Sequence, residues 1–574
     1  MNQKLRRVLL VGFILSFVLL FSPLITYLQD HFFETTDLPP LPKFLKDGHP
    51  KMDWLLYRLM QVYFDQGIDQ AKEFANLRKI DMTGYRVRAI VEAQMEGMDN
   101  VEIQALATSL RLQIESFGGT FEAAHKQLIQ SLLPIDSLQG LADLPTVRYI
   151  HLPIKPKIGI TSEGVTKTGA NRWQSIAPYR SEAAKVCILD LGFKGYESLL
   201  GIELPTSVVT RSFRSDHDLS ADEVHGAACA EIVHDMAPDA GLWLANFSTF
   251  IEMSNAVDWV IKEGVNIISA SFGTNYYPAD GTGPACEVVK EAHNRGVIWI
   301  NAAGNEAEDH WAGNFDDWDN DRWLNFLDYD ELLEFDLPAY VPVEVFVRWN
   351  DWGAWNGLYY RGSDQDYDLY LYIKSGSSWL FVDKSTNYQT GFQDPVEEIW
   401  GWYTTTPARW GIAIYKYSAS RPAKFDAFIS THLGRIEYWT SGGSIASPGD
   451  SPYSITVGAV DWSDDSYHSY SSQGPTADGR IKPDLCAPSA VSTVSYGEPF
   501  YGTSSACPHV AGAFALLKGK MPYSLDQVRN IIESRAIDLG ISGKDNKFGL
   551  GRLNLSKTNE HVSKVKRYLG LNRR

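Results

Sequence analysis

Gly502-Thr503-Ser504-Ser505-Ala506-Cys507-Pro508-His509-Val510-Ala511-Gly512 decides how this chain is to be read. A serine follows Gly-Thr, small residues come next, and the apolar run over 510–517 reads as a buried helix. The pattern predicts Ser504 at the helix N-cap, where unpaired backbone N–H groups and the positive end of the dipole meet. Pro508 is expected in the first turn, where its missing N–H costs little. Negative charge developing beside Ser504 during acyl transfer would be stabilised there. A serine alone is a weak nucleophile, so this reading requires a base, a residue to orient the base and an oxyanion donor.

Candidates for all three lie upstream. Asp190 ends the apolar run Val186-Cys187-Ile188-Leu189, which reads as a buried strand. That places its carboxylate at a strand's carboxyl end, where open α/β sheets carry their chemistry. His225 opens a stretch small and apolar enough to be a tightly packed helix, and Asn305 closes a further buried strand running into a glycine turn. In these roles Ser504 attacks a carbonyl, His225 takes its proton, and Asp190 holds the imidazole tautomer. The Asn305 amide and the Ser504 backbone N–H would bind the oxyanion.

With these motifs in the order Asp, His, Ser, the chain resembles the subtilisin-type serine peptidases. Ser271-Phe272-Gly273, Ser454-Ile455-Thr456-Val457-Gly458-Ala459-Val460, Ser471-Ser472-Gln473-Gly474-Pro475 and Gly479-Arg480-Ile481-Lys482-Pro483-Asp484 extend the resemblance. It covers roughly 165–305 and 435–555. The resemblance implies polypeptide substrates and no required cofactor. It also implies that Ser271, Phe272 and Gly273 bind extended substrate as an added strand. Leu191 and Ala227 depart from the commoner family residues beside the aspartate and histidine, which bears on efficiency more than identity. His234 and His509 match no catalytic position and read as packing or surface residues. The rival reading is an inactive scaffold of the same fold that binds a surface ligand.

The 574 residues leave room for three or four domains of about 150 residues each. Lys and Arg number 52 against 70 Asp and Glu, a net charge of −18, with no long basic block in the main body. That argues against nucleic acid as a partner and fits an acidic enzyme. The five cysteines, Cys187, Cys229, Cys286, Cys486 and Cys507, are too scattered for a disulfide framework and fall in expected core elements. Buried free thiols are expected.

The segments order themselves along the chain. Lys4, Arg6 and Arg7 precede an apolar span over 8–28, about 20 residues, enough to cross a bilayer. A signal anchor or signal peptide is expected over 1–30, with the rest of the chain outside the cytoplasm, either anchored or secreted after processing. Residues 31–83 read as a Pro-rich linker and a helical segment. Residues 84–155 have the strand and helix periodicity of a ferredoxin-like βαββαβ unit, which resembles the propeptide of this family. The resemblance implies an intramolecular inhibitor; a permanent accessory domain is the alternative. Residues 165–305 and 436–556 alternate strand and helix, implying a parallel sheet covered on both faces. The fold class is therefore α/β, with a parallel-sheet catalytic domain. Between 306 and 435 helical periodicity gives way to short alternating segments, read as an inserted antiparallel β-sandwich, and 11 of the 17 tryptophans lie between 306 and 440. There Asp317, Asp319 and Asp321 alternate, with Asp328 following, in the manner of a calcium loop, although Arg322 stands where the tight turn wants glycine. Residues 557–574 form a basic tail.

Overall fold

The apolar strand that ends at Asp190 lies inside a seven-stranded, all-parallel sheet. Its order is Leu485–Ser489, Ser454–Asp461, Ile298–Ala302, Ile267–Ala270, Lys185–Asp190, Gly241–Asn246, Val209–Ser212. This computed structural model describes residues 48–78, 80–94, 100–153, 157–158, 164–175, 184–221, 223–431, 435–497 and 499–556. Alternate residues of the inner strands serve two cores, which is why those strands are mostly apolar, whereas the edge strand Val209–Ser212 is mostly exposed. Val186 and Ile188 pack under His225–Met236 and Thr503–Lys520. Cys187 and Leu189 pack under Phe250–Lys262 and Pro284–Asn294. The helix Thr503–Lys520 is buried at every residue except Lys518. It crosses His225–Met236 so closely that a Cβ at Gly512 would lie 2.3 Å from the Met236 Cβ.

The α/β unit ahead of this domain has strands in the order Val147–His151, Arg86–Ala93, Leu128–Pro134, Thr120–His125, the ferredoxin-like arrangement. The helices Trp54–Gln66 and Ile68–Leu77 do not stand apart from it. Trp54, Leu56 and Leu59 share one core with Val87, Val91, Ile129 and Ile150. A sheet of this size has one face to cover, and the helical pair supplies part of the cover. The insert is a sandwich of two four-stranded antiparallel sheets. Trp323, Trp349 and Trp410 are fully buried in it, so most of its aromatic mass is spent on packing. All five cysteines are buried and free. Among the described residues no helix is long and apolar enough to cross a membrane; the 8–28 span and the 557–574 tail lie outside them.

The N-terminal unit touches both other parts. Gln130 Nε2 donates to Glu252 Oε1 at 2.9 Å, meeting the capping box of Phe250–Lys262. Toward the insert, Arg78 pairs with Asp383 at 2.6 Å and Arg148 Nη2 donates to the carbonyls of Phe392 and Tyr360 at 2.7 and 3.0 Å. Ionisable groups crowd this second contact. Burial, then the neighbouring Asp53 charge, pushes the Glu398 carboxyl up to about 8, and burial raises Asp53 in turn. Burial and Glu92 push Asp394 up to about 6. Burial works against a charged His151, but its bond to Glu92, the Glu92 charge, the Leu152 carbonyl and the Asp53 charge together outweigh it and raise the imidazole. Glu92 is itself held down to about 2, against burial, by Arg148 and His151.

The sign follows directly. Raised carboxyls and a raised imidazole hold protons in the docked state, so their stabilisation is complete at low pH and is lost as pH rises through their shifted values. Glu92 has the opposite sign, but loses its contribution only as pH falls toward 2. The thermal midpoint of the full chain should therefore fall by several degrees between about pH 6 and 8.5. Glu398→Gln should flatten that slope. A midpoint constant across this window in both proteins would contradict the assignment.

Candidate active site

Three elements bring Asp190, His225 and Ser504 to the carboxyl ends of the parallel strands. Asp190 is the last residue of Lys185–Asp190, and His225 is the first of His225–Met236. The His225 Nδ1 lies 2.9 and 2.8 Å from the two Asp190 carboxylate oxygens, and the Leu191 N–H donates to Asp190 Oδ1 at 2.8 Å. The carboxylate assigns the ring proton to Nδ1, which leaves Nε2 as the basic nitrogen. That Nε2 is buried and has no hydrogen-bond partner. The Phe500 ring packs 5.5 Å from the imidazole. Only glycine fits after His225, since a Cβ at Gly226 would lie 2.5 Å from the Gly192 carbonyl oxygen and 2.9 Å from the Asp190 Cβ.

Ser504 is mounted differently from the sequence expectation. Gly502 is the N-cap, at φ 118°, and Ser504 is the second residue of the helix. A serine would be strained at that φ. The Gly502 N–H is also held there, by the Tyr470 hydroxyl at 2.8 Å and the Ser489 Oγ at 3.0 Å. Pro508 consequently falls inside the helix instead of in its first turn. It cannot donate to the Ser504 carbonyl four residues back. That carbonyl accepts instead from Ser271 Oγ at 2.8 Å and Cys229 Sγ at 3.7 Å. The Ser504 Oγ donates to the Ser271 carbonyl at 3.1 Å. Ser504 and the residue ahead of Phe272–Gly273 are thus tied by two reciprocal bonds.

Asn305 stands beside them, positioned by a residue that sequence reading passed over. Thr503 donates its N–H and its Oγ1 to Asn305 Oδ1, at 2.9 and 3.1 Å. This fixes the amide with Nδ2 as its donor end. Glu306 Oε2 accepts from the Asn305 N–H at 2.7 Å and from Ser472 Oγ at 3.1 Å. Ser271, Phe272, Gly273, Asn305, Glu306 and Ser504 line a single small cleft. Thr503 and Glu306 adjoin recognised residues, so adjacency was their only signal; Phe500 had none. Phe272–Gly273 is a two-residue strand whose antiparallel partner is the chain's own Lys157–Ile158, with Phe272 opposite Ile158 and Gly273 opposite Lys157. His509 bonds the Ser505 carbonyl through Nδ1, and burial drives its ring down to about 4. His234 is half-buried and also lowered by burial. Neither joins the cleft.

Asp317, Asp319 and Asp321 lie elsewhere, in the insert, with ligand oxygens all within 4.8 Å of one another. Arg322 adopts φ 82° and makes the turn in place of glycine. Glu331 stands near this cluster: burial and then the charges of Asp321, Asp319 and Asp317 push it up to about 7. Lys416 Nζ stands 3.4 Å from Asp317 Oδ2 and offsets part of the charge. Oxygen donors of this kind suit a hard divalent cation such as calcium.

Comparison with known proteins gives the site a family. The profile described as the subtilase family matches residues 181–320 and 429–551, and the gap between them falls within the β-sandwich. Over 215 residues the chain is 31% identical to Bacillopeptidase F of Bacillus subtilis (strain 168), covering 34% of this chain and 14% of that protein. Over 55 residues it is 53% identical to an extracellular serine protease of Serratia marcescens, covering 9% of this chain and 5% of that one. The chain thus spans well under two thirds of these relatives. The solved Clostridium perfringens CspB protease aligns over 71% of this chain and 100% of its own, with a TM-score of 0.49 and 16% identity. The profile match, taken with the Asp190 and His225 geometry, means that the chain carries a subtilase-family domain, split in two by an inserted β-sandwich.

Proposed function

We propose that this chain is a serine endopeptidase that cleaves polypeptides through an acyl-enzyme at Ser504 and works outside the cytoplasm. One observation carries the reading. His225 is bonded through Nδ1 to Asp190 and keeps Nε2 buried and unpartnered at the carboxyl end of the sheet that also receives Ser504. To react, Ser504 Oγ leaves the Ser271 carbonyl for His225 Nε2, gives up its proton and attacks the substrate carbonyl. The oxyanion is met by Asn305 Nδ2 and the Ser504 backbone N–H. The imidazolium, stabilised by Asp190, then protonates the leaving amine, and water repeats the sequence on the acyl-enzyme. No cofactor enters these steps.

The strand formed by Lys157–Ile158 on Phe272–Gly273 supports a zymogen: the linker after the N-terminal unit lies where an extended substrate would, and the unit acts as an intramolecular inhibitor. The apolar span over 8–28 supports membrane targeting, either as an anchor or as a secretion signal. The inactive-scaffold alternative would use the insert's tryptophans as a ligand surface, and Trp323, Trp349 and Trp410 are instead fully buried.

A fluorophosphonate probe tests the chemistry. Folded, processed wild-type chain should be labelled at Ser504, and Ser504→Ala should not; an unlabelled wild type would favour the scaffold. We propose further that Asp317, Asp319, Asp321 and Glu331 hold calcium in a structural role. Millimolar calcium should raise the thermal midpoint of chelator-treated protein by several degrees, and Asp319→Asn should abolish the response. No change on adding calcium would rule this out.

A further inference from the structure

The insert reaches across to the substrate side of the catalytic domain through one buried cation. Arg348, on the insert strand Glu344–Trp349, is only 2% exposed. Its Nη1 donates to the Asn275 carbonyl at 2.8 Å and also to the Tyr277 carbonyl. Those carbonyls belong to the segment that continues Phe272–Gly273. Between them and the strand, Thr274 exchanges backbone bonds with Ser447, N to O at 2.8 Å and O to N at 2.9 Å.

The guanidinium is itself held from behind. Its Nε donates to Asp426 Oδ2 at 3.1 Å, and Asp426 Oδ1 lies 3.0 Å from His310 Nε2. His310 Nδ1 bonds the Thr440 carbonyl at 2.7 Å. The Phe428 ring stacks on His310 at 4.5 Å and lies 5.0 Å from the guanidinium carbon. Despite burial, Arg348 and His310 hold the Asp426 carboxyl far below the usual carboxylate range. Burying a full charge at a domain boundary is costly unless every donor is used. Packing alone would join two domains without it. Here Nη1 is spent on two main-chain carbonyls just past the peptide-binding strand while Nε is held by Asp426, so one rigid planar group links three acceptors.

We propose that Arg348 is a positioning residue for peptide substrates: by pinning the Asn275 and Tyr277 carbonyls it sets the tilt of Phe272–Gly273, and so aligns an extended chain with Ser504 without touching it. The proposal rests on reading Ser504 as the nucleophile and Phe272–Gly273 as the substrate strand. It assigns the insert a part in the use of long substrates. A small acyl ester, which never reaches the strand, is indifferent to it.

The test compares wild-type full chain, incubated until it labels with a fluorophosphonate, with Arg348→Met and Arg348→Lys. Each is assayed on p-nitrophenyl acetate and on an extended tetrapeptide anilide. Arg348→Met should lose about tenfold or more in kcat/KM on the tetrapeptide, chiefly in KM, while ester turnover and labelling stay within about twofold. Arg348→Lys, which retains the charge but can serve fewer acceptors, should fall between. Should Arg348→Met fail to fold by circular dichroism, Asp426→Asn, which frees the guanidinium without removing it, must show the same split. Equal losses on both substrates, or none on either, overturn the proposal. Absence of labelling in the wild type removes the nucleophile assignment and this proposal with it, whereas labelling with an unchanged substrate split overturns this proposal alone.

Discussion

Burial of the Asp190 carboxylate against the His225 imidazole is the constraint on which the rest of the molecule depends. A carboxylate at 1% exposure is tolerated only if donors meet both its oxygens. The His225 ring and the Leu191 N–H do so, within 2.9 Å. Meeting that condition forces a strand end and a helix start together, which excludes any side chain at position 226. It also fixes the ring tautomer and leaves Nε2 as the one basic atom the pair offers. Removing either partner would strand a buried polar group, a loss of about 3–5 kcal/mol. Structure and chemistry therefore press on the same two residues.

A second constraint comes from the nucleophile's own helix. Pro508 withdraws one hydrogen-bond donor, and the orphaned Ser504 carbonyl turns to the Ser271 hydroxyl. What would be a defect in an isolated helix becomes the bond that joins Ser504 to the residue ahead of Phe272–Gly273. The insert meets the other end of that strand through Arg348. The short strand Phe272–Gly273 is thereby held from both sides by side chains remote from it in sequence.

These features differ in how far they could be read from the amino-acid sequence. Asp190, His225 and Asn305 were legible because each terminates an apolar run or opens a small-residue helix, and local pattern suffices for that. The parallel sheet and the antiparallel insert were legible for the same reason, from the change of period near residue 306. The placement of Ser504 was missed by two positions, because the N-cap was decided by the backbone angle of Gly502 and by acceptors from Tyr470 and Ser489. The helices Trp54–Gln66 and Ile68–Leu77 read as a separate segment, since only the tertiary core shows what their apolar faces cover. Arg348 carried no sequence signal at all: its partners lie 71 and 73 residues away on one side and 78 on the other.

The most direct measurement is the intact mass of the purified full chain over time, beside that of Ser504→Ala. If Lys157–Ile158 occupies the substrate strand of a working triad, the wild type should convert to two fragments cut between Ile158 and Gly164, while Ser504→Ala stays whole. Loss of mass at the same position and rate in both proteins would contradict the account.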